Sequence, residues 1–334
     1  MISKVVEITV NWILPTDTTD YNKISASAWI RSLQLFPYLR RNGINCLVNS
    51  DKASDIIIIE RSFSLDRIQF IKKNKSKGVK IIFDLCVNYL EELHDSQDQS
   101  YGVNQDLKDK TIQLISLSDA VFCSSEYIYS VVSKIHEHVF YLSDSIDMGH
   151  FKFSKTNYDL INENFTLLYS GVSVKTDWLF DNLYSYINKN KIKLIINSEK
   201  RPKYFKKYKY IRWKYENFPS DILSATVGIS PRDVSSPYNK GHSLYKIGVF
   251  IAQKIPVLAS PVPSYSELIS DNQCGIICKN INEWTNSIDF LLNNRDALPE
   301  MMKNSEEIIK PYTTESISYK YINIFSEIVS MKIL

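Results

Sequence analysis

Short apolar runs separated by longer amphipathic stretches constrain the fold of this chain more than any other feature. Runs of four or five residues rich in Ile, Val and Leu recur along the sequence, among them DIIII at 55–59, KIIF at 80–83, FTLLY at 165–169 and PVLA at 256–259. Such runs do not alternate with polar residues, which is typical of parallel strands covered on both faces. The stretches between them have helical spacing, so the sequence predicts an α/β protein built from strand–helix units.

A polar interval at 143–164 divides this pattern into two halves of similar length. We predict two Rossmann-like, doubly wound domains, an acceptor domain at 1–150 and a donor domain at 151–312, facing each other across a cleft. The remaining segment, 313–334, has an apolar helical face that includes Tyr321, and we expect it to pack back on the first domain. Ligands of doubly wound sheets bind outside the carboxyl ends of the strands, so a site is expected there.

Composition and charge argue against several classes of protein. The chain has 334 residues, and its 40 Lys and Arg against 37 Asp and Glu give a net charge of +3, which does not indicate nucleic-acid binding. Its five cysteines lie scattered in apolar runs and are expected to be buried thiols of a reducing compartment. No run approaches the roughly 18 apolar residues of a membrane span, and the first residues resemble a strand rather than a signal peptide. We therefore expect a cytoplasmic protein.

The stretch 228–269 carries the clearest chemical signal. It is predicted to form a strand, a loop, a helix, a second strand at Pro256–Ala259 and the start of another helix. Between the two strands the charged residues are mostly cations: Arg232, Asp233, Lys240, Lys246 and Lys254. A loop that opens a helix and carries Ser and Lys is a common site for a phosphate group, because free amides and positive charge meet there.

Five motifs occur in an order that resembles the two-domain GT-B glycosyltransferases, especially the large retaining family that uses nucleotide-sugars. They are DAVFCSS at 119–125, LSDSIDMGHF at 142–151, LYSGVSVK at 168–175, the strand–helix–strand pattern at 210–231, and the stretch 246–269, which resembles K-x-x-E-x-M-A-x-G-x-P-V. The resemblance covers most of the chain. It implies a phosphate-activated sugar donor, a GT-B fold and transfer with retention of configuration.

The resemblance and the local chemistry together indicate a set of donor-phosphate residues. Lys175 matches the family's lysine in the loop after the first strand of the second domain, while Arg232 and Lys246 flank the helix-opening loop. Cations are needed there because the leaving diphosphate gathers negative charge. The full set is Gly171, Ser173, Lys175, Arg232, Ser243 and Lys246.

One position departs from the family pattern. Where the family has a Glu that accepts the ribose hydroxyls, this chain has Val249, and no acidic residue occurs between Asp233 and Glu267. Two explanations remain open. The ribose of a nucleotide-sugar is held in another way, for example by backbone atoms, or the donor is a CMP-sugar or phosphoribosyl diphosphate.

Candidates on the acceptor side lie at strand ends of the first domain. Asp84 ends the run KIIF, Asp17 lies in a polar loop, and His242 precedes Ser243. An aspartate could accept the proton of an acceptor hydroxyl, and a histidine could donate to a phosphate or sugar oxygen. Asp84 could equally be a turn residue and His242 a surface residue. The His and carboxylate spacings do not indicate a metal site, and we expect no metal or other cofactor.

The predicted function is transfer of a sugar from an activated donor to a glycan or lipid-linked oligosaccharide, in synthesis of a bacterial surface polysaccharide such as a capsule or O-antigen. The alternative from another class is a non-catalytic, two-lobed protein that binds a phosphorylated ligand. Two basic stretches, Lys72–Lys80 and Lys200–Lys214, could attach the protein to the cytoplasmic face of a membrane, or could simply be solvated surface. Nucleic acid is not an expected partner.

Overall fold

The computed structural model describes residues 8–16, 18–61, 63, 65–91, 105–204 and 206–331. The chain divides into two compact units. Unit 1 comprises 1–145, 236–243 and 312–334, and unit 2 comprises 146–235 and 244–311. Each unit contains a parallel sheet with helices around it, so the prediction of two Rossmann-like domains is confirmed.

Unit 1 is built on a parallel sheet that, in the described part of the chain, has six strands in the order β2-β1-β3-β4-β5-β6. The strands are β1 (Ile8–Ile13), β2 (Ile44–Val48), β3 (Ile56–Glu60), β4 (Lys80–Leu85), β5 (Ala120–Cys123) and β6 (Val139–Tyr141). The winding direction reverses between β1 and β3. In doubly wound sheets this reversal opens a crevice beyond the carboxyl ends of the two strands.

Most helices of unit 1 connect these strands, and two come from later parts of the chain. The helices are Ala26–Ala28, Phe36–Arg41, Leu65–Lys75, Gln105–Leu117, Glu126–Val132, Pro237–Lys240 and Thr314–Ser330, with a π-helical turn at Trp29–Leu33. The last of them belongs to the terminal segment. Its Phe325 ring lies 6.0 Å from Trp12 of β1, and its Tyr321 ring lies 5.4 Å from Phe122 of β5. The apolar stripe of this segment is therefore buried within unit 1.

Unit 2 is also built on a parallel sheet. Its strands are β7 (Thr166–Ser170), β8 (Lys193–Ser198), β9 (Lys209–Arg212), β10 (Val227–Ser230), β11 (Val257–Ala259) and β12 (Gly275–Ile277). All neighbours are parallel, and over the described residues the order is β12-β11-β10-β7-β8-β9. The winding reverses between β7 and β10, so the carboxyl ends of these two strands define the switch point of unit 2.

The helices of unit 2 are mostly short. They are Asn157–Asn162, Tyr184–Lys189, Phe218–Ile222, Tyr245–Ala252, Pro263–Asn272, Ile281–Asn293, Ala297–Met302 and Ser305–Ile309. A π-helical turn covers Leu179–Leu183, and 3₁₀ turns cover Ser173–Thr176, Tyr215–Asn217 and Lys310–Tyr312. The helix Tyr245–Ala252 has its second residue, Lys246, partly buried, and the six residues that follow are buried.

The unit boundaries differ from the sequence division at 150 and 312. Unit 1 ends at Ser145 and takes in 236–243, which lies between β10 and the helix Tyr245–Ala252 of unit 2. Tyr238 of this segment is buried in the apolar core of unit 1, and Ser125 Oγ donates to the Gly241 carbonyl over 2.9 Å. These contacts are long-range, so local composition did not indicate them.

A strained residue ends the helix Tyr245–Ala252. Lys254 has φ of 59°, and the bonds Lys254 N–H to the Ile251 carbonyl and Ile255 N–H to the Phe250 carbonyl, each 2.9 Å, form a Schellman motif. This left-handed position favours Gly, and the resembling family pattern has Gly here. We expect Lys254→Gly to be more stable than Lys254→Ala by about 1 kcal/mol in urea unfolding.

The alanine variant is the matched control for that comparison. Both substitutions remove the ion pair that Lys254 Nζ forms with Glu306 over 2.9 Å. The difference between the two variants therefore reports the backbone conformation alone. Equal stability of the two variants would contradict strain at this residue.

Candidate functional site

Three cations gather at the switch point of unit 2. Lys175 lies in the turn after β7, Arg232 follows β10, and Lys246 is the second residue of the helix Tyr245–Ala252. The positive charges of Arg232 and Lys175 repel the Lys246 ammonium group and so lower the pKa of Lys246. The structure thus brings together three of the residues predicted to bind donor phosphates.

Lys246 is the centre of this cluster. Its Nζ lies 3.4 Å from the Tyr169 hydroxyl and 4.5 Å from the centre of the Tyr169 ring. Among the described residues it forms no ion pair with a carboxylate. Burial, followed by repulsion from Arg232 and Lys175, holds the pKa of Lys246 well below its ordinary value. An anion bound beside Lys246 would offset this repulsion and raise the pKa of the lysine again.

Gly171 makes room for the lysine. Its φ is +156°, and a Cβ at this position would lie 3.0 Å from the Tyr169 hydroxyl and closer still to Lys246 Nζ. A side chain here would displace the ammonium group from its place against the tyrosine ring. The glycine predicted from sequence thus has a steric role beside the cluster.

Ser173 is held by an acidic residue that the sequence reasoning missed. Its backbone N–H donates to Glu199 Oε2 over 2.9 Å, and its hydroxyl donates to Glu199 Oε1 over 2.6 Å. Glu199 follows β8 directly, so its place after an apolar run was the signal that could have found it. Because the Ser173 hydroxyl donates to Glu199, it would have to give up that bond to donate to a phosphate.

Arg232 forms hydrogen bonds with one residue at a strand end and one on a helix. Its backbone N–H donates to Ser260 Oγ over 2.9 Å, and its Nε donates to the Tyr265 hydroxyl over 3.3 Å. Ser260 follows β11, the neighbour of β10, and Tyr265 is fully buried on the helix Pro263–Asn272. These two bonds hold both the backbone and the side chain of Arg232 at the start of the loop.

Two other predicted residues, His242 and Ser243, belong to unit 1. Ser243 Oγ donates to Asp144 Oδ2 over 2.5 Å. His242 Nδ1 lies 3.0 Å from the Tyr238 carbonyl oxygen. A role of either residue toward the donor stays a prediction.

Asp84 is paired with an arginine inside unit 1. Arg31 Nε donates to both Asp84 oxygens over 2.9 Å, and Arg31 Nη1 contacts Asp144 Oδ1 over 2.9 Å. Burial raises the pKa of Asp84, and the Arg31 guanidinium opposes that rise. The carboxylate would have to leave this pair to accept a proton from an acceptor. Asp17, the other carboxylate predicted here, lies outside the described residues.

Glu60 is a second buried carboxyl group at this edge. It ends β3, beside Asp84 in the register of the sheet, and only 1% of its surface is exposed. Among the described residues, neither carboxyl oxygen of Glu60 accepts a hydrogen bond of good distance and angle. Burial, and then the Asp84 carboxylate, raise the pKa of Glu60 to about 8, although the Ser27 hydroxyl and the Arg31 and Arg61 guanidinium groups lower it.

The remaining predictions concern the ribose and metals. Val249 lies on the helix Tyr245–Ala252 and is 1% exposed, so it offers the site neither a hydrogen bond nor accessible surface. In the described part of the chain no three His, Cys, Asp or Glu side chains cluster as metal ligands would. The expectation of metal-free chemistry stays a prediction. Over the same residues, no helix has the length and apolar character needed to cross a membrane.

Comparison with known proteins shows which solved structures share this fold. No protein-family model matches the sequence, and no curated protein matches it. Solved structures do match. Sucrose-phosphate synthase from Thermosynechococcus elongatus aligns with a TM-score of 0.74 and 11% identity over 96% of this chain and 98% of its own. Anabaena HepE, in complex with UDP and glucose, aligns with a TM-score of 0.70 and 10% identity over 96% of this chain and 99% of its own.

A third structure is an α-glucosyltransferase in complex with UDP and DNA. It aligns with a TM-score of 0.62 and 11% identity over 97% of this chain and all of its own. The alignments span both units of the chain. They show that the chain has the GT-B fold that the sequence motifs predicted.

Proposed function

We propose that this protein is a glycosyltransferase that moves a sugar from a nucleotide-sugar to a hydroxyl group of a glycan or lipid-linked acceptor. The observation that carries this proposal is the cluster of Lys175, Arg232 and Lys246 at the switch point of unit 2, where repulsion from the other two cations lowers the pKa of Lys246. HepE and the α-glucosyltransferase, which share the fold, are described in complex with UDP. That supports a UDP-type donor.

The cluster suits the chemistry of the leaving group. In the transfer, the bond between the anomeric carbon and the diphosphate oxygen breaks, and its electron pair stays on the diphosphate. The Lys246 ammonium and the Arg232 guanidinium would stabilise that charge more in the transition state than in the ground state. The acceptor oxygen forms the new bond to the anomeric carbon. In a retaining reaction, the stereochemistry we propose, the departing phosphate takes the acceptor proton.

The biological setting belongs to the same proposal. An enzyme of this kind would act in the cytoplasm, at the inner face of the membrane, on a growing surface polysaccharide such as a capsule or O-antigen. The acceptor contacts would come from the carboxyl edge of unit 1, near Asp84, since ligands of doubly wound sheets bind at that edge.

Val249 favours a second candidate donor. A buried valine cannot accept the ribose hydroxyls. A CMP-sugar or phosphoribosyl diphosphate would still place phosphates against the cation cluster. Both donors share the predicted need for Lys175, Arg232 and Lys246, and they differ from UDP-sugars in what lies beyond the phosphates.

A thermal-shift panel tests the donor class. We expect one of UDP-, GDP-, ADP- or CMP-sugars or phosphoribosyl diphosphate to raise the melting temperature, since a ligand at a hundred times its Kd stabilises by about 2.7 kcal/mol. The Lys175→Ala variant should lose this shift, while Lys279→Ala, which removes an exposed lysine of the same unit, should keep it. Turnover with the stabilising donor, followed by mass spectrometry, then tests transfer. Stabilisation without transfer or donor hydrolysis would favour a binding protein.

A further inference from the structure

One edge of unit 2 is far more basic than the rest of the chain. Residues 189–214 contain eleven Lys or Arg and a single acidic residue, Glu199, while the whole chain carries only +3. This stretch runs from the end of the helix Tyr184–Lys189 through β8 and β9, and β9 is the outermost strand of its sheet. We call it the basic edge.

The cations of the basic edge all face solvent. Every one of the eleven is exposed: Lys189, Lys191, Lys193, Lys200, Arg201, Lys203, Lys206, Lys207, Lys209, Arg212 and Lys214. Among the described residues only Lys203 forms an ion pair, with Asp177 over 3.3 Å. Glu199 is engaged by Ser173. The edge therefore presents a broad field of positive charge, in which Lys203 pairs with Asp177 and Lys209 acts on Asp221.

This field is separate from the donor-phosphate cluster. Lys175, Arg232 and Lys246 lie outside residues 189–214, and two of them follow β7 and β10, in the middle of the sheet. Exposed like charges repel one another and cost the folded unit stability. An anionic surface placed against the basic edge would remove that cost.

The aromatic residues of the edge decide what kind of surface fits. Tyr204 stacks on Phe180 at 4.5 Å, Tyr208 packs on Phe180 at 5.3 Å, and Trp213 packs on Phe218 at 5.9 Å. These three aromatic side chains are half-buried in contacts of their own unit. Stacking platforms for the bases of single-stranded nucleic acid need open aromatic faces, and each of these three rings already packs against an aromatic ring of its own unit.

The exposed cations of the basic edge can attract an anionic surface over a wide area. Anionic lipid headgroups supply that, since each Lys or Arg near such a surface contributes about 1 kcal/mol without a specific pocket. We propose that the basic edge docks unit 2 onto a membrane leaflet rich in anionic phospholipids, by electrostatic attraction alone. The docking does not depend on the proposed transferase activity, and its test measures binding only.

Co-sedimentation of the full chain with lipid vesicles tests this. We expect binding to vesicles of phosphatidylcholine with about a third phosphatidylglycerol, and none to pure phosphatidylcholine. Binding should weaken about tenfold or more between about 50 mM and about 300 mM salt, because salt screens the electrostatic attraction between the lysines and the lipid headgroups. Binding that is equal on neutral vesicles, or unaffected by salt, would overturn the proposal.

Two variants of equal charge change locate the surface. The triple variant Lys206→Gln, Lys207→Gln, Lys209→Gln should lose about 100-fold in vesicle affinity. The control is Lys72→Gln, Lys73→Gln, Lys77→Gln, which removes three exposed lysines from the basic stretch of unit 1 and should change affinity little. All six side chains are exposed, so both variants should keep the melting temperature of the parent.

Three results would contradict the assignment. An equal loss in both variants would mean that net charge alone matters, and a loss only in the control would assign docking to unit 1. A labelled single-stranded oligonucleotide that binds more tightly than the vesicles at the same salt, and is lost in the first variant, would assign the edge to nucleic acid.

Discussion

Replacing Lys246 with methionine is expected to stabilise the free protein while abolishing sugar transfer. Methionine is one atom shorter than lysine, fills most of the same space and removes a partly buried charge that Arg232 and Lys175 repel. The expected gain in the free energy of unfolding is about 1 kcal/mol. The loss in kcat/KM with the donor found by the thermal-shift panel should be at least about 100-fold, comparable to removal of one oxyanion donor.

The stability difference between Lys246→Met and the parent should change with pH in a defined direction. The pKa of Lys246 in the folded protein lies well below that in the unfolded chain, so the unfolded state holds its proton to higher pH. Stability of the parent therefore rises with pH between the two values, and the advantage of Lys246→Met should shrink as pH rises. A diphosphate raises the lysine pKa again, so donor binding should take up protons and weaken with rising pH.

Urea unfolding at several pH values and calorimetric titration in two buffers measure these effects. Lys303→Met, which removes an exposed lysine of the same unit, is the control and should change neither stability nor transfer. A Lys246→Met variant that is less stable than the parent at neutral pH, or that keeps its activity, would remove the cation cluster as the basis of the proposed function.

Replacing Glu60 with glutamine is expected to stabilise the protein increasingly as pH rises. The pKa of Glu60 is about 8 in the folded protein, against an ordinary value of 4.5. Between these values the folded state binds the proton and the unfolded state does not, so stability of the parent falls as pH rises from about 4.5 to about 8. Glutamine cannot ionise. Its advantage over the parent should grow to about 4 kcal/mol near the upper value.

Urea unfolding between about pH 5 and about pH 8 checks this expectation. The matched control is Glu300→Gln, which makes the same chemical change at an exposed position of unit 2. Its difference from the parent should be small throughout that range. A Glu60→Gln advantage that does not vary with pH would show that the folded protein tolerates the ionised carboxylate.

The strands and much of the cation cluster could be predicted from the sequence. Apolar runs such as those that form β4 and β7 have few alternatives to a buried parallel strand. Lys175 and Arg232 each follow such a run, and neighbouring parallel strands end at the same edge. Their meeting at one switch point was therefore expected once the strand order placed β7 beside β10.

The features that were missed depend on contacts between distant residues. Glu60 looks like the polar end of an ordinary strand, and only packing reveals that its carboxyl group is buried beside Asp84. Arg31 lies in a helical stretch 53 residues before its partner. The assignment of 236–243 to unit 1 depends on Tyr238 reaching a core formed by other parts of the chain. Local composition carries no information on any of these contacts.

The path of residues 236–243 also limits which fragments of the chain can be produced as separate folded units. The chain passes from one unit to the other after Ser145, Ser235, Ser243 and Pro311. A fragment spanning 146–311 would carry Tyr238 without the apolar core that covers it, and a fragment ending at Ser145 would lack the helix Thr314–Ser330. Neither unit therefore corresponds to one uninterrupted piece of the gene, and producing the donor unit alone would require a short linker in place of 236–243.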